Sequence, residues 1–191
     1  MKKQILYISI LLTSCTSLFA QTTDKTVEKI RTYYSDITEK ARLAETDDDR
    51  GQYGDLVMNE LVINKRNHQW RAVGIYNLDY KFFYHGGDSE QHMYPDQLVK
   101  AVVEKKISNR NYTEEYLFSD AGVLMFYFQK AENDDQIPAE RRVYFSGLGA
   151  VRVVEDSKTR DKLTAKDAAT IREITESSRK IKEIFSKSIK L

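Results

Sequence analysis

From Asp24 the apolar positions of the chain recur with a helical period. Val27, Ile30, Tyr34, Ile37, Ala41 and Ala44 follow at spacings of three and four, so they share one face, while Glu28, Lys29, Arg31, Glu39 and Lys40 fall elsewhere. The pattern predicts one amphipathic helix over about 24–44. Thr46, Asp47, Asp48, Asp49, Arg50 and Gly51 then form a polar cluster that ends it. Gly51 and the missing terminal Glu do not match the register of an EF-hand, so the cluster reads as a solvated loop.

From about Leu56 to Asp156 the period changes to two, and β-branched and aromatic residues dominate. The predicted strands are 56–64, 70–76, 78–84, 98–108, 113–119, 123–130, 141–145 and 150–155. Short polar or Gly-containing turns separate most of them, which permits antiparallel neighbours and leaves no room for parallel crossovers. The middle of the chain is expected to be an antiparallel meander. Phe118-Ser119-Asp120-Ala121-Gly122-Val123-Leu124 aligns with Phe145-Ser146-Gly147-Leu148-Gly149-Ala150-Val151. Each copy reads as a hairpin whose glycine, Gly122 or Gly149, supplies a positive φ.

A second helix is expected over about 164–189. Thr164 and Asp167 have the spacing of a capping pair, and Ile171, Ile174, Ile181, Ile184, Phe185 and Ile189 follow at helical spacing. Arg179, Lys180, Lys182, Lys187 and Lys190 gather towards its end, where cations complement the helix dipole. Together these elements predict an α+β fold: one antiparallel sheet of about seven or eight strands, twisted or partly rolled, with a helix from each terminus packed on it.

Residues 1–20 have the order of a secretory signal peptide. Lys2 and Lys3 precede an apolar run from Ile5 to Leu12, and small residues lead to Ala20. Two processing readings stand open. Cleavage after Ala20 releases a chain of residues 21–191 to the periplasm or the exterior. Leu12-Thr13-Ser14-Cys15 also resembles a bacterial lipobox, in which Cys15 becomes an acylated N-terminus and a lipid anchor on the outer membrane. The apolar run is shorter than the roughly 20 residues of a transmembrane span, so none is expected. Cys15 is the single cysteine, so the domain must be held by an ordinary core without disulfides.

The export segment, the N-terminal helix and the aromatic hairpins Glu115-Tyr116-Leu117-Phe118-Ser119-Asp120-Ala121-Gly122 and Arg142-Val143-Tyr144-Phe145-Ser146-Gly147 give the chain a likeness. It resembles small uncharacterised exported proteins of Gram-negative bacteria. The resemblance implies location and architecture, and carries no activity.

Charge and motifs narrow the chemistry further. The chain has 30 basic and 29 acidic residues, and loss of Lys2 and Lys3 leaves 28 against 29. That balance gives no support to nucleic acid as a partner. His85-Gly86-Gly87-Asp88-Ser89-Glu90-Gln91-His92 is rich in potential ligands but matches no metal signature, so no metal is expected. No nucleophile elbow, P-loop or dinucleotide fingerprint is present, and no cofactor or catalytic residue is assigned. In Tyr80-Lys81-Phe82-Phe83-Tyr84, alternation sends Tyr80, Phe82 and Tyr84 to one face and Phe83 to the other, so both faces of the sheet carry apolar surface. If the helices cover one face, Tyr80, Phe82 and Tyr84 become an aromatic binding platform. The expectation is an exported, non-enzymatic envelope protein that binds a small molecule or protein partner through the sheet. The alternatives are a periplasmic hydrolase with a site hidden from sequence, and a purely structural envelope component.

Overall fold

A computed structural model of the chain describes residues 2–46, 56–86, 95, 97–147 and 149–190, with side chains from Thr22 onward. Helix α1 (Lys2–Thr46) is followed by β1 (Val57–Ile63), β2 (Gln69–Trp70), β3 (Gly74–Tyr84), β4 (Leu98–Ile107) and β5 (Arg110–Phe118). Then come β6 (Leu124–Glu132), β7 (Glu140–Ser146), β8 (Gly149–Glu155), β9 (Lys158–Arg160) and α2 (Ala165–Ile189). The strands form one antiparallel sheet in the order β1-β3-β4-β5-β6-β7-β8-β9, with β2 also paired to β3. The α+β meander expected from the sequence is the observed fold. No described helix is long and apolar enough to cross a membrane.

The local chemistry accounts for the boundaries. Thr164 caps α2 in a reciprocal box: its hydroxyl accepts from the Asp167 amide at 3.1 Å, and the Asp167 carboxylate accepts from the Thr164 amide at 2.8 Å. The helix expected from Asp24 extends back to Lys2, through the apolar run from Ile5 to Leu12. The strands expected at 70–76 and 78–84 are replaced by a two-residue β2 and one continuous β3. Asn77, which falls between the two expected strands, lies inside β3, and its amide donates to the carbonyls of Ile63 and Asn64 to close the β1–β3 hairpin. The glycine expectation holds at Gly122, where φ is +69°, and fails at Gly149. In the second hairpin Ser146 pairs with Gly149, and the left-handed residue is Gly147 at +61°. The tighter turn moves the special position two residues towards the N-terminus, so the aligned segments are not equivalent turns. The cluster from Asp47 to Gly51 and the segment from Gly87 to His92 lie outside the described residues.

Strand register sorts the side chains into two buried faces. Phe82, Ala101, Tyr116, Tyr127, Val143 and Val153 align across the sheet on one face. Helix α2 covers them with Ile174, Ile181 and Phe185. Phe83, Lys100, Leu117, Phe126 and Tyr144 align on the other face, and Val27, Ile30, Ile37 and Ala41 of α1 cover that one. The sheet is therefore the middle of three layers.

A charged row crosses the α2 face. Lys105 pairs with Glu114 at 2.6 Å, and Glu114 also accepts from the Tyr116 hydroxyl at 2.7 Å. Gln129 follows, accepting at 3.0 Å from Arg141, which reaches Glu155 at 2.9 Å. Arg160 then joins Glu155 at 2.8 Å to Asp167 at 2.6 Å. Each carboxylate thus meets a cation, and the row ends on the cap of α2. The Arg160 guanidinium, with the Thr164 amide and hydroxyl, holds the Asp167 carboxyl far below the usual carboxylate range against the opposing effect of burial.

Because the folded value is depressed, this carboxylate contributes stability that is present above the unfolded pKa of about 3.9 and is lost as pH falls below it. Asp167→Ala is expected to lower the unfolding free energy at pH 7 by about 2 kcal/mol. It should also flatten the decline in stability below pH ~4. Urea titrations of both proteins at a series of pH values check this, and parallel curves would contradict it.

Candidate functional site

The expected platform is not an open surface. Tyr80, Phe82 and Tyr84 do share a face, but it is the face under α2: Phe82 is fully buried, Tyr84 is 6% exposed, and Tyr80 packs half-buried against the same core. The Phe185 ring lies 5.7 Å from that of Phe82 and 5.1 Å from that of Tyr84. The platform is lost because two helices, one on each side, cover the two apolar faces. His85 is described and His92 is not. Among the described residues no group of three or more His, Cys, Asp or Glu side chains is poised to hold a metal ion. Cys15 lies in the part of α1 whose side chains are not described.

The opposite face holds a cavity. Helix α1 crosses that face from β8, where Asp24 meets Arg152 at 2.8 Å, to β3, where Glu45 meets Lys81 at 3.1 Å. Along its flank lies a cavity of about 310 Å³ lined by Arg31, Tyr34, Phe126, Arg142, Tyr144 and Val154. The floor is aromatic: Phe126 is 4.8 Å from the Tyr34 ring and 5.0 Å from the Tyr144 ring. Arg31 and Tyr34 come from one face of α1 at a spacing of three, whereas Arg142 and Tyr144 come from one face of β7 at a spacing of two.

The polar lining groups are held by partners. The Tyr34 hydroxyl donates to Glu115 at 2.9 Å, and Glu115 pairs at 2.7 Å with Lys100. Lys100 is buried, donates to Thr38 at 2.9 Å, and sits 4.9 Å from the centre of the Tyr34 ring. Burial and then the Glu115 charge push the Tyr34 phenol far above its ordinary value, so it stays a neutral donor. Arg31 donates through Nε to the Tyr144 hydroxyl at 3.1 Å and lies 5.5 Å from that ring's centre. Arg142 stacks 5.2 Å from the Phe128 centre and pairs with Glu140 at 2.7 Å.

Charge distinguishes this cavity from the cleft on the other face. That cleft, of about 360 Å³, lies between the hairpin turns at Gly122 and Gly147 and α2. Its rim cations are occupied: Lys182 donates to the Gly122 carbonyl at 2.8 Å, and Arg179 pairs with Glu176 at 2.8 Å. Arg31 has no carboxylate partner among the described residues. Its Nη groups therefore bring unneutralised charge to an aromatic cavity, which suits an anion.

Sequence periodicity makes Tyr34 a helix-face residue, puts Tyr144 in a hairpin and Phe126 in the strand expected at 123–130, and leaves Arg31 as polar surface, and none of these patterns singles out a site. The available signal was the Arg31–Tyr34 and Arg142–Tyr144 pairs, but nothing local says that the two face each other. Comparisons with protein families, with curated proteins and with solved structures give no match.

The buried Lys100–Glu115 pair makes a checkable claim. Lys100→Met should cost about 3 kcal/mol, because it strands a carboxylate in a largely desolvated place. Adding Glu115→Leu should restore much of that loss. Denaturant melts of the two single variants and the double variant complete the cycle. Additive costs would show that the pair is not coupled.

Proposed function

We propose that this protein is exported to the cell envelope and acts there by binding, without catalysis, a small anionic ligand with a flat apolar body. The observation that carries the reading is the Arg31 guanidinium, without a carboxylate partner among the described residues, at the edge of a cavity floored by Phe126 and Tyr144. A planar guanidinium recognises a carboxylate through a two-pronged contact, and the rings offer face and edge contacts to an apolar body. The cavity is at the small end of the roughly 300–1,000 Å³ range of ligand sites, which argues for a compact ligand. The rigid network of Tyr34, Glu115 and Lys100 keeps the wall in place before binding, and that lowers the ordering cost. Export is supported by the charged, apolar and small-residue order of residues 1–20.

Calorimetry with 2-naphthoate and its neutral analogue 2-naphthamide tests the binding claim. The acid should bind at least ~10-fold more tightly than the amide, and Arg31→Ala should remove that preference. Equal affinity for the two compounds, or an unchanged preference in Arg31→Ala, would refute the assignment. Intact-mass analysis of protein from the native host tests export separately. A chain starting at Gln21 or an acylated Cys15 is the expected result, and retention of Met1 would contradict it.

A further inference from the structure

The edge of the sheet at β1 is open in a way that the rest of the molecule is not. Strand β1 has β3 on one side and no strand on the other among the described residues, whereas the opposite edge is the three-residue β9, tied to α2 by Arg160. Five of the large apolar side chains that are most exposed lie along this edge: Val57, Leu61 and Ile63 on β1, and Trp70 and Val73 next to it. The segment from Val57 to Ile63 contains neither proline nor a cation, which are the usual guards of an exposed edge.

The two faces of the edge differ in charge. Register places Val57, Leu61 and Ile63 opposite Tyr84, Tyr80 and Leu78, on the α2 face. On the α1 face, Glu60 lies opposite Lys81, and Val62, Asp79 and Glu104 align across three strands. Glu60, Asp79 and Glu104 thus gather next to the edge. Lys81, the cation that eases the charge on Asp79, is itself held by Glu45 at 3.1 Å. Asp79 Oδ1 is buried without a hydrogen-bond partner, an unsatisfied acceptor of the kind that a folded protein rarely keeps. Burial, followed by the Glu60 and Glu104 charges, raises the Asp79 carboxyl above its ordinary value.

We infer that β1 is a docking edge for an extended peptide segment of another protein, in which apolar and basic residues alternate. Added as a strand, its apolar side chains meet Leu61 and Ile63, and its basic side chains, opposite Glu60 and Val62, reach the carboxylates of Glu60 and Asp79. Main-chain hydrogen bonds along the open edge supply the rest of the affinity. Charge selects this partner over a second copy. A second β1 brings another Glu60 and no cation, so it adds negative charge to a site already in excess. The inference is independent of the Arg31 cavity, which lies over β6 to β8.

Amide NMR titration with a seven-residue Lys-Val alternating peptide, and with the matched Glu-Val peptide, tests it. The Lys-Val peptide should shift the amides of residues 57–63 and slow their hydrogen exchange at least ~10-fold, and the Glu-Val peptide should not. A triple variant, Glu60→Gln with Asp79→Asn and Glu104→Gln, should lose that response, and so should Leu61→Lys at its exposed position. Equal responses to both peptides, shifts confined to other strands, or a sedimentation profile showing a dimer with a protected β1 would each overturn the inference.

Discussion

A sheet that is apolar on both faces cannot stand in water, and this constraint governs the rest of the structure. The aromatic and β-branched residues of β3 to β8 alternate without leaving a polar face: Phe82 and Tyr116 point one way, Phe83 and Leu117 the other. Burial of each such side chain contributes on the order of 2 kcal/mol, so neither face can be left exposed. The chain meets this demand with a helix before the meander and a helix after it. Neither helix is redundant, because each covers a separate core.

The two coverings differ in how they are fixed. On the α2 side, the ionic row from Lys105 to Asp167 leads to the helix cap, so the position of α2 is set by charge as well as by Ile181 and Phe185. On the α1 side, polar groups reach through the seam: Lys100 to Thr38, Glu115 to Tyr34, and Tyr144 to Arg31. A single helix is narrower than a sheet of this many strands, and the uncovered flank of its face becomes the cavity with Arg31 on its rim. The proposed site is in this view a consequence of incomplete coverage.

What was legible in the sequence was local. The Thr164–Asp167 cap, the left-handed Gly122 and the alternation of Tyr80 to Tyr84 follow from contacts within a few residues. What was not legible depends on distant partners. Asn77 breaks the expected strands at 76/78 in the sequence pattern, whereas its amide closes the β1 hairpin thirteen positions from Asn64. Gly147 and Gly149 exchange roles because loop length, set by strand register, decides which residue needs a positive φ. Strand β9 is three residues long and is held by Arg160, whose partners come from β8 and α2, so no periodicity could announce it. Tyr80, Phe82 and Tyr84 share a face as alternation requires, but alternation says which residues share a face and not what lies above them, which here is α2. Arg31 reads as polar surface for the same reason: its partner Tyr144 is 113 residues away.

Native-state hydrogen exchange in two core variants tests the three-layer account most directly. Ile37→Ala opens the α1 core and Ile181→Ala the α2 core, each at an expected cost of about 3 kcal/mol. If one sheet serves both cores, each variant must lower the protection of the same strand amides, those of Phe83, Val99, Leu117 and Val143, and by similar amounts. Full protection of these amides in either variant would show that the sheet stands with one face covered, and would contradict the account.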